Sequence, residues 1–125
     1  MGMTPKYKHS ELTSQIINAF YVVYNTLGYG FLEKVYEKAL IHELTKRGFQ
    51  VAAQVPIKVY YDGVIVGEYF ADLVVNNIVI IELKTAETIS DAHKAQLINY
   101  LKATGKEVGL ILNFGPEPQI SRKVN

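Results

Sequence analysis

The stretch from residue 70 to residue 85, FADLVVNNIVIIELKT, constrains the fold more than any other part of the 125-residue chain. Two apolar runs rich in β-branched residues flank an Asn-Asn pair, which predicts two antiparallel strands joined by a short turn. The first run carries Asp72, and the second leads directly into Glu82 and Lys84. Charged side chains are rarely buried unless they are paired or bind a metal. These charges therefore either lie at a solvated strand end or form a functional site.

The functional interpretation of this hairpin is a metal site. Asp72 and Glu82 are carboxylates, the hard oxygen ligands that Mg²⁺ and Mn²⁺ prefer. Glu82 and Lys84 are two residues apart in a strand, so they point to the same face, about 6.6 Å apart along it. A lysine there could orient an attacking water and offset charge that builds on a phosphate. The alternative is a strand-end salt bridge that Lys84 makes with Glu82 or a neighbour, with no metal.

The register of the hairpin decides whether the two carboxylates can share an ion. A tight two-residue turn would pair Asp72 with Ile81, which places Asp72 on the opposite face from Glu82. A three-residue loop, a β-bulge or divergence of the strands near Asp72 would bring the carboxylates together. The metal-site hypothesis requires one of these three arrangements.

Composition predicts one domain over residues 1–125, with 1–9 and 116–125 as tails. The chain is 49% hydrophobic and 20% charged, as is typical of a globular protein, and it is long enough for a real core. It has no cysteine, which excludes disulfides, thiolate zinc sites and cysteine nucleophiles. A cytoplasmic location is expected because no apolar run reaches the roughly 20 residues of a membrane span and no signal peptide is evident. The net charge of +1 provides no global basic field, and no basic stripe or aromatic stacking surface stands out.

Hydrophobic periodicity predicts the element order α-α-β-β-β-α-β. The helices are predicted over about 11–27, 32–47 and 91–103, and the strands over 51–61, 64–75, 78–84 and 108–114. A helical crossover between the last two strands makes them parallel neighbours. The order therefore predicts an α/β sandwich, with a mixed four-stranded sheet and helices on both faces.

Residues 30–36, GFLEKVY, resemble the signature of the GxxExxY protein family, which is assigned to the PD-(D/E)xK nuclease superfamily. Asp72 with Glu82-x-Lys84 resembles the acid, acid and lysine trio of that superfamily. Residues 96–100, QLINY, resemble a Gln-x-x-x-Tyr pattern found on the helix after that strand. The resemblance extends over nearly the whole chain and implies a restriction-endonuclease-like fold. It brings no agreed substrate.

The resemblance implies further site residues, each with a simpler alternative. Glu33 would be a third carboxylate near the metal, or else a first-turn acid that favours the helix dipole. Gln96 would hold Lys84, a water or a phosphate, or else belong to an ordinary polar helix face. Tyr36 is expected to pack in the core, and His93 to be solvated near a helix start.

The leading hypothesis is a nuclease that depends on Mg²⁺ or Mn²⁺ and hydrolyses phosphodiester bonds of nucleic acid, for which DNA is expected over RNA. Asp72, Glu82 and Glu33 would bind the metal. Lys84 would position water or stabilise the transition state, and Gln96 would support the site. The alternative is a non-catalytic nucleic-acid- or protein-binding module that keeps the nuclease fold. A homodimer is compatible with this hypothesis, and no membrane partner is expected.

Overall fold

Two helices precede the sheet and pack together on one of its faces. In the computed structural model, which describes residues 8–125, α1 spans Ser10–Leu27 and α2 spans Glu33–Lys46. Their apolar stripes, which include Phe20 and Leu40, form the larger of two hydrophobic cores against the sheet. No helix within the described part of the chain is long and apolar enough to cross a membrane.

The sheet is mixed and has five strands in sequence order. They are β1 (Val51–Tyr61), β2 (Val64–Val75), β3 (Val79–Lys84), β4 (Val108–Phe114) and β5 (Pro118–Val124). β3 and β4 are parallel, and all other neighbours are antiparallel. α3 (Asp91–Thr104) connects β3 to β4 and packs on the face opposite α1 and α2, where Leu97 and Leu101 contact the second core. The predicted α/β sandwich is confirmed.

The strand count is five rather than the predicted four, because the C-terminal residues form β5 instead of a tail. β5 pairs antiparallel with β4 from Phe114↔Pro118 to Val108↔Val124. Its sequence, PQISRKV, lacks alternating apolar residues and carries two adjacent charges, a composition typical of an edge strand. Pro118 opens the strand, where proline is tolerated. Most of the predicted N-terminal tail over 1–9 lies outside the described residues.

β1 and β2 extend beyond the rest of the sheet as a two-stranded arm. They pair from Val51↔Val75 to Tyr61↔Val64, whereas β2 pairs with β3 only from Leu73↔Ile81 to Val75↔Val79. β3 continues to pair with β4 as far as Lys84. A fork therefore opens between β2 and β3, and it begins at Asp72 and Glu82.

Candidate active site

A three-residue loop sets the register that places Asp72 opposite Glu82. Val75 pairs with Val79, so residues 76–78 form the loop, in which Asn76 and Asn77 have φ of 53° and 56°. Asparagine tolerates this left-handed conformation better than most residues. The side-chain oxygen of Asn76 also accepts a 2.9 Å hydrogen bond from the N–H of Gln50. The three-residue loop places Asp72 opposite Glu82, as a shared site requires. A two-residue turn would have placed Asp72 opposite Ile81.

Asp72 and Glu82 are joined by reciprocal hydrogen bonds at the start of the fork. The N–H of Asp72 donates to Glu82 Oε2 at 3.0 Å, and the N–H of Leu83 donates to Asp72 Oδ2 at 2.8 Å. Side-chain carboxylates, not backbone carbonyls, accept these two bonds between the strands. Each carboxylate has a second oxygen through which it could bind a cation.

Burial and mutual repulsion raise the pKa values of three carboxyls around the fork. Glu82 is only 5% exposed, and desolvation, followed by the charge of Asp72, raises its pKa to about 7. Desolvation also raises the pKa of Asp72, although the bond from Leu83 opposes the shift. Glu33 is exposed as a residue, but partial desolvation of its carboxyl, and then the charge of Asp72, raise its pKa. Such a group of carboxyls would be relieved by a bound cation.

Lys84 lies close enough to act on all three of these carboxyls. Its charge lowers the pKa of Glu33, Asp72 and Glu82, which partly offsets the effect of burial. Among residues 8–125, Lys84 forms no ion pair at 4 Å or less. The alternative of a strand-end salt bridge with Glu82 is therefore wrong for this structure, and the ammonium group can face a ligand.

Glu37 and Gln54 also contact the carboxylate group, although the sequence motifs do not include them. Glu37 is buried one turn after Glu33, where it accepts bonds from Lys34 Nζ at 2.9 Å and Gln54 Nε2 at 3.4 Å. The Gln54 side chain also lies close enough to Asp72 to lower the pKa of that carboxyl. The spacing of Glu33 and Glu37, four residues apart on one helix, could have predicted their proximity.

Gln54 has an unusual backbone conformation in the middle of β1. Its φ is 53°, and it lies between the pairs Ala53↔Leu73 and Val55↔Ala71, opposite Asp72. A non-glycine residue with this φ inside a strand is strained, and such strain is concentrated at functional sites. No local sequence signal predicts a left-handed glutamine in a strand.

Glu33 and Gln96 lie on the helices on either side of the fork, and their predicted roles stay predictions. Glu33 is exposed at the rim, and among residues 8–125 no three acidic or histidine side chains are placed to hold one ion. Gln96 is half-buried on α3 and lines a cleft beside the fork. No hydrogen bond joins it to Lys84 in the described part of the chain, so direct support of that lysine is absent from this structure.

Tyr36 packs in the core, as expected, and also holds the loop before α2. It is fully buried and stacks on Phe114 with ring centroids 4.4 Å apart. Its hydroxyl donates to the carbonyl of Gly28 at 2.6 Å and accepts from the N–H of Phe31 at 3.1 Å. These bonds fix the segment that leads to Glu33.

His93 begins α3 as a capping residue and is half-buried, not solvated. Its N–H donates to Ser90 Oγ at 3.1 Å, and its Nδ1 accepts from the N–H of Ser90 at 3.1 Å. This reciprocal arrangement is a capping box, which stabilises the first turn of a helix. Burial and the charge of Lys84 lower the pKa of His93.

The donor set at the fork fits a hard divalent cation. Mg²⁺ is commonly bound through one or two carboxylates while it keeps several waters, and Asp72 and Glu82 provide such a pair. Glu33 and Glu37 bring the number of carboxyls around the fork to four, against the two lysines Lys34 and Lys84. These carboxyls therefore retain an excess of negative charge that a cation can neutralise.

Comparisons with known proteins bear on the family and on the fold. Residues 10–124 match the family model of the PD-(D/E)XK nuclease superfamily. The crystal structure of SSO0001 is similar to this chain, with a TM-score of 0.55 and 20% sequence identity, over 93% of this chain and 59% of that one. This chain thus spans less than two thirds of SSO0001, and at this identity the likeness shows the fold alone. No curated protein sequence matches.

Proposed function

This chain belongs to the PD-(D/E)XK nuclease superfamily, and we propose that it is a divalent-metal-dependent nuclease that hydrolyses phosphodiester bonds of nucleic acid, with DNA expected over RNA. The observation that carries the proposal is the Asp72–Glu82 pair, in which Glu82 is buried and Asp72 half-buried, held by reciprocal hydrogen bonds beside a Lys84 that forms no ion pair within residues 8–125. We also propose that the chain belongs to the GxxExxY family, because residues 30–36 resemble the signature of that family.

Asp72 and Glu82 would hold Mg²⁺ or Mn²⁺, with Glu33 approaching from the rim. A divalent cation supplies Lewis acidity and a more acidic bound water. The backbone bonds from Asp72 and Leu83 hold both carboxylates in place before any ligand arrives. Such preorganisation lowers the cost of assembling a site.

Lys84 would act on the phosphate. Hydrolysis forms one P–O bond from water and breaks one ester P–O bond, and the departing oxygen takes a proton. Negative charge builds on the phosphoryl oxygens during this step, and the Lys84 ammonium offsets it. Tyr100 would remain a neutral hydroxyl because burial and the charge of Glu82 raise its pKa to about 12.

A second candidate, a nucleic-acid-binding module without cleavage, is favoured by one observation. No three acidic or histidine side chains within residues 8–125 are placed to hold an ion together. A site with only two close carboxylates could bind metal too weakly for turnover. This candidate keeps the fold and loses the reaction.

Cleavage of a panel of linear, branched and single-stranded DNA and RNA, with Mg²⁺, with Mn²⁺ or with EDTA, tests the proposal. Wild type should cleave only with metal, and Lys84→Ala should lower the rate by about 10²–10³-fold. Lys38→Ala is the matched control, because Lys38 is exposed on α2, and it should retain the wild-type rate. Failure of wild type to cleave any substrate would favour the binding module. Equal rates for Lys84→Ala and wild type would refute the role of that lysine.

A further inference from the structure

A cleft of about 760 Å³ lies between the β1–β2 arm and α3. Three tyrosines line it: Tyr60 and Tyr69 from the arm, and Tyr100 from α3. Tyr69 and Tyr100 are in contact, with ring centroids 5.7 Å apart. Tyr60 and Tyr69 are 59% and 47% exposed, so much of their surface is open to a ligand. The folded chain thus assembles an aromatic surface from residues that are far apart in sequence.

The polar residues of the cleft suit a nucleic-acid strand. Lys58 and Lys102 contribute positive charge, and none of the residues that line the cleft is acidic. Neither lysine forms an ion pair at 4 Å or less within residues 8–125. Gln96 and Asn99 present amide groups that can donate to and accept from base edges. Aromatic rings beside basic residues are the usual features of single-strand binding sites.

The cleft adjoins the fork that holds the candidate metal ligands. Tyr69 and Asp72 are three residues apart on β2, which corresponds to about 10 Å along a strand. A stacked nucleic-acid strand advances about 3.4 Å per nucleotide, so roughly three nucleotides cover that distance. Tyr100 belongs to both regions. It lines the cleft, and it lies close enough to Glu82 and Asp72 for their charges to raise the pKa of its hydroxyl.

We propose that this cleft binds unpaired bases of the strand whose backbone enters the Asp72–Glu82 fork, so that the substrate has a single-stranded segment. The inference rests on the proposed function, because a strand that is cleaved must reach the fork. Bases inside a duplex are stacked on one another and cannot lie on the tyrosine rings. Lys58 and Lys102 would contact the flanking phosphates.

Fluorescence anisotropy with the full chain in EDTA tests the cleft separately from cleavage. The probes are a labelled single-stranded 12-mer of DNA, its RNA equivalent, an abasic DNA strand of the same length and a blunt duplex. The single strand with bases should bind more tightly than the abasic strand and the duplex. Comparison of the single-stranded DNA and RNA probes shows which of these two nucleic acids the cleft binds more tightly.

Matched tyrosine variants identify the surface that is responsible. Stacking of a base on an aromatic side chain corresponds to an affinity loss of about 5- to 150-fold on alanine substitution, which is expected for Tyr60→Ala and Tyr69→Ala. Tyr60→Phe should keep wild-type affinity because it retains the ring. Tyr61→Ala is the control, since Tyr61 is 72% exposed and does not line the cleft.

The outcomes separate this inference from the proposed function. If the chain binds single strands through their bases, loses that binding in Tyr60→Ala and cleaves nothing with either metal, the role of the cleft is supported and the nuclease function is refuted. Cleavage that is indifferent to Tyr60→Ala and Tyr69→Ala would refute the cleft and leave the nuclease in place. Equal binding of the abasic strand, or no binding at all, would overturn the cleft. Sedimentation gives a further test. If Tyr60→Ala abolished self-association of the chain and left nucleic-acid binding unchanged, the cleft would bind a second copy of this chain, and the inference would be overturned.

Discussion

The carboxylate of Glu82 accepts the N–H of Asp72, and the carboxylate of Asp72 accepts the N–H that follows Glu82 in the chain, at 3.0 Å and 2.8 Å. The two acids therefore hold each other at the point where β2 and β3 part. Both groups are desolvated and repel each other, and each is stabilised by a single backbone N–H. The fold therefore holds the two carboxylates in place, and their negative charge would be stabilised by a bound cation.

Stability of the metal-free protein should fall as the pH rises from about 4.5 to 8. Burial raises the pKa of Glu82 from 4.5 to about 7, so the native state binds more protons than the unfolded state in this range. The stabilising contribution is fully present below the unfolded pKa and is lost as the pH passes the native one, which amounts to about 3 kcal/mol for Glu82. Urea unfolding in EDTA at a series of pH values measures it.

Glu82→Gln is the control that isolates this contribution. The raised pKa values of Asp72 and Glu33 have the same sign, whereas the lowered pKa of His93 opposes them by making stability rise with pH. The variant should show a flatter pH profile than wild type. Identical profiles for the two proteins would show that Glu82 ionises normally in the native state.

Tyr36→Phe should lower the free energy of unfolding by about 1–3 kcal/mol. The ring would still stack on Phe114, but the carbonyl of Gly28 and the N–H of Phe31 would lose their shared partner. Chemical denaturation measures the loss. Tyr29→Phe is the comparison, because Tyr29 is 58% exposed and its variant should lie within about 0.5 kcal/mol of wild type. Equal stability of the two variants would mean that the hydroxyl bonds contribute little.

Gly115→Ala should destabilise the chain by about 2–3 kcal/mol or more. A Cβ at this glycine would lie 1.9 Å from the carbonyl oxygen of Ala86, in the loop that follows Lys84. The Asn113 side chain holds that loop through two 2.9 Å hydrogen bonds with the backbone of Ala86, so the loop cannot move away freely.

Gly67→Ala provides the matched comparison for that substitution. A Cβ there would meet the Tyr69 ring at 3.3 Å and Val59 at ordinary van der Waals distance, with no backbone atom within 4 Å, so the change should be within about 1 kcal/mol. Thermal unfolding of both variants compares them. A Gly115→Ala protein as stable as Gly67→Ala would contradict the close packing of the Ala86 loop.

The fold and the central residues of the site could be predicted because their signals are local. The apolar runs around the Asn-Asn pair define the hairpin, and the charges at Asp72, Glu82 and Lys84 interrupt it where charges are unexpected. The register could not be settled, because an Asn-Asn pair suits either a two- or a three-residue connection. Only the pairing of Val75 with Val79 decides between them.

The features that could not be predicted depend on contacts between distant segments or on an unusual backbone. The cleft tyrosines come from β1, β2 and α3, and no single stretch of sequence shows them as one surface. Gln54 joins the site through a left-handed conformation that a strand sequence does not reveal. β5 is stabilised by pairing with the fully buried β4, so its own polar sequence carries little strand signal.

Calorimetric titration of Mn²⁺ into EDTA-stripped protein at pH 8, where Glu82 is ionised, measures whether the fork binds a divalent cation. Wild type should bind with saturation, and Asp72→Asn should weaken binding by at least about 10-fold, since a charged ligand becomes a neutral amide. Lys84→Ala should bind at least as tightly as wild type, because a lysine repels the ion and cannot ligate it. Absence of saturable binding to wild type, or equal binding by Asp72→Asn, would contradict a metal site at Asp72 and Glu82.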